Sequence, residues 1–257
     1  AALLTVLTLV FIVGYILIKG IPNLTPELFQ LEYNSENVSM FPAIINTICM
    51  TVLSLLIAGP LGILAAVYLV EYAKKGNKLV SLVRVTAETL TGIPSIVYGL
   101  FGMLFFVTTL HWGYSMLAGA FTLAIMVLPV IMRTTEEALL SVPDTFREAS
   151  FGLGAGRLRT IFVVILPSAV PGIFSGVILS IGRIVGETAA LMYTAGTVAE
   201  LPKSVMSSTR TLSVHMYSLA SEGLYVDQAY ATAVVLLLIV LIINWISGRI
   251  ARKIKKG

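Results

Sequence analysis

Apolar residues run along the chain in six long blocks, with polar and charged residues gathered between them. A helix needs roughly 20 apolar residues to cross the hydrocarbon core of a bilayer. The blocks predict six transmembrane helices, over Ala1–Ile18, Ala43–Tyr72, Leu79–Thr109, Tyr114–Met132, Val170–Thr194 and Asp227–Ser247. The second and third are longer than one crossing requires, so tilt or projection beyond the bilayer is expected. The fold class is all-α and integral to the membrane, with residues 1–257 as a single transmembrane domain. The chain opens inside its first apolar block, which reads as a trimmed N-terminus. That block is too long and too evenly apolar for a signal-peptide core.

Within the third block stands Thr91-Gly92-Ile93-Pro94-Ser95-Ile96-Val97-Tyr98-Gly99-Leu100. Pro94 removes a backbone hydrogen bond and Gly92 weakens the same turn, so a kink is expected there. In a membrane such freed groups must face protein or a watery cavity. Pro129, Pro167 and Pro171 mark further kinks that a shared cavity or plain packing would explain equally well.

Composition supports the membrane reading: 57% of residues are hydrophobic and 12% charged, against about 25% charged in a soluble domain. A single cysteine, Cys49, excludes an intramolecular disulfide. The net charge of +4 does not point to nucleic acid, because the charges sit at the ends of the apolar blocks. With the N-terminus inside, most basic residues fall on one side. These are Lys74, Lys75, Lys78, Arg84, Arg133, Arg147, Arg157 and Arg159, and in the tail Arg249, Arg252, Lys253, Lys255 and Lys256. Lys19, Lys203 and Arg210 fall outside. The bias places both termini and the stretch 134–167 in the cytoplasm. The outer loop Gly20–Phe41 reads as irregular. The loop Ala195–Val226 has room for a short amphipathic helix around Pro202–Leu219. These loops either connect spans or seat a binding protein.

The 134–167 stretch is longer than a span-to-span connection needs. Ser141, Pro143 and Asp144 have the spacing of a helix start, with Ser141 as cap. Gly152, Gly154 and Gly156 break that helix, and an amphipathic run Arg157–Leu166 follows and stops at Pro167. The product is a helix–turn–helix knob carrying Phe146, Phe151 and Leu153, suited to docking in a groove of another protein.

Two charged residues lie deep in the fifth block, Arg183 and Glu187, four apart and so on one helical face. A charge at mid-bilayer costs about 3 kcal/mol even on permissive scales. Two readings remain. The pair is a static clip facing the bundle, or Arg183 meets an oxyanion in transit while Glu187 orients it. A guanidinium suits a tetrahedral anion because its planar fork gives two parallel hydrogen bonds. Arg84 and Glu88 repeat the spacing near the inner end of the third block, where Arg84 snorkels with Glu88 as partner. All four are the charged candidates along a substrate path.

No GxxxxGK[ST], HExxH or GxSxG pattern occurs. ATP hydrolysis by this chain is therefore not expected, and no catalytic residue, metal or cofactor is assigned. His111 and His215 lack the company of a triad or metal site and read as interfacial residues.

Glu148-Ala149-Ser150, three residues, Gly154, nine residues and then Val164-Ile165-Leu166-Pro167 together resemble the EAA motif of ABC importer permeases. Ser150 stands where a second Ala is usual, and Val164 where Ile is usual. The strings GIPSIVYGLFG at Gly92–Gly102 and GRIVGETAAL at Gly182–Leu191 resemble those of PstA-type permeases, one of the two membrane subunits of phosphate importers. The resemblance implies a type I ABC importer permease fold in a prokaryotic inner membrane, with a cytoplasmic coupling helix. It also implies that Phe146, Arg147, Glu148, Ala149, Gly154 and Pro167 couple to the ATPase. Its implied partners are a second permease of the PstC type, ATPases of the PstB type, an external phosphate-binding protein of the PstS type, and inorganic phosphate. Sulfate or molybdate as cargo, an ion-coupled carrier, and a scaffold or sensor without transport are the alternatives.

Overall fold

The computed structural model describes residues 2–74 and 76–254, with side chains as far as Arg249. Lys75, Lys255 and Lys256, counted above toward the inner side, lie outside the described residues, as does Ala1 of the first span. The chain runs α1 (Ala2–Gly20), α2 (Phe41–Val67), α3 (Lys78–Thr91), α4 (Ser95–Gly102), α5 (Met116–Leu140), α6 (Asp144–Gly152), α7 (Arg157–Thr160), α8 (Leu166–Val185), α9 (Ala189–Met192), α10 (Leu212–Glu222) and α11 (Val226–Ile254). Wider π-helical turns extend α2 through Tyr68–Tyr72 and α4 through Met103–Thr109, and another, Ile161–Ile165, joins α7 to α8.

Five continuous helices are long and apolar enough to cross a membrane: Ala2–Asn23, Phe41–Tyr72, Met116–Leu140, Arg157–Val185 and Val226–Arg249. The sixth expected crossing is a broken pair, Lys78–Thr91 and Ser95–Thr109. The kink foreseen at Gly92–Pro94 is thus a full interruption, since three successive residues leave the helix.

The knob differs more. α5 continues to Leu140, past the expected end at Met132. Arg157 opens the fifth span itself, and Pro167 does not end a separate helix. The π-turn just before Pro167, and the Ser168 hydroxyl donating to the Val164 carbonyl at 2.7 Å, carry the helix past the ring. Only Ser141–Gly156, with α6 inside it, stands between spans.

The chain folds as two compact units. The first comprises the residues to Leu53, Ser95–Thr122 and Val185–Ile242. Its core holds Leu28, Met40, Ala43, Leu212, Ala231 and Val235, with Val38, Leu219 and Ala229 beside them. Gly99 and Gly102 let α4 lie directly on α9, where a Cβ would strike Ala190, Thr122 and Thr194. The first helix presents almost its whole apolar surface outward, as a lipid-facing helix does. The short helix expected around Pro202–Leu219 spans Leu212–Glu222. The segment before Leu212 uses its carbonyls elsewhere: those of Ser207 and Val205 accept the Met116 and Leu117 N–H groups at 3.0 and 2.8 Å.

The second unit comprises Ser54–Pro94, Leu123–Ile184 and the residues from Ile243 on. Its core packs Ala66, Val67, Leu69, Val80, Met132, Leu139, Ile161 and Ile165. Gly172 and Gly176, one turn apart, bring α8 onto α5 at Ala138 and Thr134. Small residues at this spacing let membrane helices approach closely.

Candidate functional site

The knob belongs to the second unit. Pro143, not Ser141, precedes the first helical residue of α6. The Ser141 hydroxyl donates instead to the Ala138 carbonyl at 2.7 Å, closing α5. Ser and Thr hydroxyls compete for nearby carbonyls in this way. The helix ends in a Schellman turn: the Gly154 N–H reaches the Phe151 carbonyl at 2.9 Å and the Ala155 N–H reaches that of Ser150 at 3.1 Å. Gly154 is left-handed, with φ +81°. Of the three glycines in the turn it alone needs its identity for conformation.

α6 therefore has two faces. Phe146, Glu148, Ala149 and Phe151 are exposed, and Leu153 beyond them is 89% exposed. Ser150 and Arg147 turn inward. Ser150 is buried, and its hydroxyl meets that of Thr160 at 2.8 Å, pinning α6 to α7 across the glycine turn. This contact gives a physical reason for a serine where the EAA pattern has alanine.

Arg147 was expected on the docking face and is not there. Its Nη2 donates to Glu71 Oε1 at 2.7 Å and to the Leu139 carbonyl at 3.1 Å. Its Nε also reaches Glu71 Oε1, at 3.2 Å, and its Nη1 reaches the Val142 carbonyl at 2.9 Å and Asp144 Oδ1 at 3.1 Å. The Glu71 side chain is only 9% exposed. Arg157 donates to the Glu71 backbone carbonyl and lies over the Tyr72 ring, 4.9 Å from its centroid. Glu71 was not singled out from the sequence, and Arg157 was read only as a basic residue opening an amphipathic run. The available signal was one acid at the end of a long apolar block.

The last turns of α5 and the facing residues of α3 carry a second ionic group. Arg84 pairs with Glu136 at 2.6 Å rather than with Glu88, and Glu88 faces Arg133 at 3.5 Å. Arg133 also holds Glu137 at 3.2 Å. The four-residue spacing permits a pair on α3, but Glu136 is 11% exposed. A buried carboxylate needs a partner more than the exposed Glu88 does.

Arg183 lies near the end of α8, half-buried, with no ion pair in its own unit among the described residues. A side chain at Gly182 would meet nothing within 4 Å. The helix stops at Val185, so Glu187 no longer shares a helical face with Arg183. Glu187 is buried and accepts the Ala190 N–H at 3.1 Å, which holds the turn into α9. The Ser213 hydroxyl donates to its backbone carbonyl at 2.6 Å. The expected four-residue pair is replaced by a helix break at Gly186.

His215 is wholly buried rather than interfacial. Arg210, itself 9% exposed, donates to its Nδ1 at 3.2 Å and to the Thr197 carbonyl at 2.8 Å. It also lies over the Tyr33 ring, 5.5 Å from the centroid. Accepting at Nδ1 places the ring proton on Nε2.

Residues 58–256 match the family described as binding-protein-dependent transport system inner membrane component. The chain is 34% identical over 268 residues to the probable ABC transporter permease protein YqgI of Bacillus subtilis (strain 168), covering 96% of this chain and 91% of that protein. It is 37% identical over 240 residues to the phosphate transport system permease protein PstA of Pasteurella multocida (strain Pm70), covering 92% of this chain and 85% of that one. A solved bacterial alginate ABC transporter, in complex with an alginate pentasaccharide-bound periplasmic protein, contains a chain that superposes with a TM-score of 0.67. That match covers 99% of this chain and 96% of the other at 20% identity, a likeness of fold.

Proposed function

This chain belongs to the family of binding-protein-dependent transport system inner membrane components, and we propose that it is the membrane-spanning permease subunit of an ATP-driven phosphate importer. It is a multi-pass inner-membrane permease with the type I ABC importer fold, and its role is non-catalytic. ATP is hydrolysed by a partner chain. The observation that carries the phosphate assignment is the 37% identity, over 92% of this chain, to a phosphate transport system permease.

In this reading the segment Ser141–Gly156, the part of 134–167 left between spans, is cytoplasmic, and the exposed face of α6, with Phe146, Glu148 and Ala149, docks on an ATPase of the PstB type. Gly154 shapes that face, and Pro167 lies within the fifth span, which Arg157 opens. A second permease of the PstC type completes the pathway, and a PstS-type protein delivers phosphate from outside. Closure of the ATPases on ATP pulls α6, and the spans rock about their interruptions. Phosphate then passes Arg183, whose fork has no carboxylate partner among the described residues of its own unit and open space beside it at Gly182. Glu187 holds the helix break that ends the Arg183 segment. The Arg84–Glu136 and Arg133–Glu88–Glu137 group lies toward the inner exit. Binding in transit must stay weak enough for release.

The test is uptake by proteoliposomes holding the purified complex, with sulfate and molybdate as competitors. ATP-dependent phosphate uptake, resistant to both and lost in Arg183→Ala in an assembled complex, is expected. Transport of sulfate in place of phosphate would refute the cargo. Unchanged uptake in Arg183→Ala would remove that residue from the path.

A further inference from the structure

The inward face of α6 serves a purpose different from its outward face. From this geometry we infer that Arg147, Glu71 and Arg157 form a latch that makes the coupling helix move together with the inner ends of α2 and α5. This rests on the reading of α6 as the ATPase-docking element. Arg147 is a positioning residue in it, acting through α6.

A guanidinium has five N–H donors. The Arg147 contacts use the Nε donor and two bonds at each of Nη1 and Nη2. No donor is left for a partner protein. One acceptor, the Leu139 carbonyl, lies in the last turn of α5, and another, the Val142 carbonyl, in the turn just beyond it. Another, Glu71, belongs to the π-turn that ends α2. One side chain thus ties α6 to two helices. Lysine could not replace it, having three donors and no planar fork.

The π-turn supplies the third point. Inserting a residue into a helix rotates all that follows, and such bulges recur at functional positions. Here Glu71 faces inward, while Tyr68 and Tyr72 stay exposed on the same turn. Arg157 reads that turn from the other side, through the Glu71 carbonyl and the Tyr72 ring. Arg157 opens the helix that becomes the fifth span, so a push on α6 reaches the ends of three spans through polar contacts of fixed geometry. A surface helix held only by apolar contact could slide.

The experiment uses the reconstituted complex with its ATPase subunits and binding protein. Arg147→Lys and Glu71→Gln are compared with Phe146→Ala, which lies on the docking face. ATPase-subunit affinity, ATP turnover and anion imported per ATP are measured on assembled, size-selected complex, so that a lower yield of folded protein does not enter. The latch predicts ATPase binding within about twofold of wild type for Arg147→Lys and Glu71→Gln, continued ATP turnover, and a tenfold or greater fall in anion imported per ATP. Phe146→Ala instead loses ATPase binding. Three results would overturn the latch: release of the ATPase by Arg147→Lys, an unchanged import ratio, or failure of both variants to assemble, which would make the cluster a folding element only. Failure of the underlying reading shows separately, as a wild-type complex whose ATPase does not bind or drive uptake. Import of an anion other than phosphate leaves the latch test intact.

Discussion

His215 sits in α10, outside the spans, and its pKa is lowered to about 4. Burial is the main cause, the neighbouring Arg210 charge adds to it, and the Val38 backbone opposes both. An unfolded chain binds this proton near pH 6.5 while the folded chain resists it to about 4, so protonation favours unfolding. The stability that the neutral ring contributes is present in full above about pH 6.5. It is lost progressively as pH falls toward 4, by about 3 kcal/mol in total. Thermal unfolding of the detergent-solubilised subunit from pH 7.5 to 4.5 checks this. The midpoint falls on acidification, and the fall shrinks in His215→Gln, which still accepts from Arg210. An equal fall in both proteins would contradict the assignment. The sequence could not place this residue. Nothing in the spacing of Tyr33, Arg210 and His215 signals that a loop, a turn and a short helix close around one ring. Gly154 was legible because a left-handed residue in a helix stop leaves few choices. Arg147 was misplaced because its neighbours in sequence, Phe146 and Glu148, are exposed. A residue of that polarity reads as exposed until its buried acid is known.

At the level of helices, the apolar blocks predicted six crossings, against five continuous helices and one broken pair, and Gly92–Pro94 marked the interruption in that pair, because both signals are local. Ends of helices were less legible. α5 outruns its apolar block by eight residues' worth of charged sequence, through Arg133, Glu136 and Glu137, because these charges pair with one another and with α3. The stop foreseen at Pro167 failed for a related reason: a π-turn has no sequence signature as plain as proline's. Helix contacts were not legible either, and the α8–α5 approach through Gly172 and Gly176 is their clearest case. Gly176→Leu puts a side chain into Thr134 and is expected to destabilise the subunit by about 2 kcal/mol. Gly182→Leu, on the same helix in open space, should cost little. Unfolding midpoints of the two variants decide it, and equal midpoints would refute the close packing.

For the molecule as a whole, composition and charge distribution implied a polytopic membrane protein. The EAA-like segment implied an importer permease before any helix was placed, and family membership agrees. The geometry adds a division of labour within α6: an outward face of Phe146, Glu148, Ala149 and Phe151 against an inward face of Arg147 and Ser150. Cargo could not be read from physics. A guanidinium donates alike to any tetrahedral oxyanion, and the phosphate assignment stands on relatives.

The most direct test of the whole account is accumulation of radiolabelled phosphate by proteoliposomes of the complete complex, with wild type and Glu148→Arg compared at equal protein. The account predicts that wild type concentrates phosphate only when ATP and binding protein are both present, and that Glu148→Arg stays at the ATP-free background. Equal accumulation by the two, or accumulation without ATP, would contradict it.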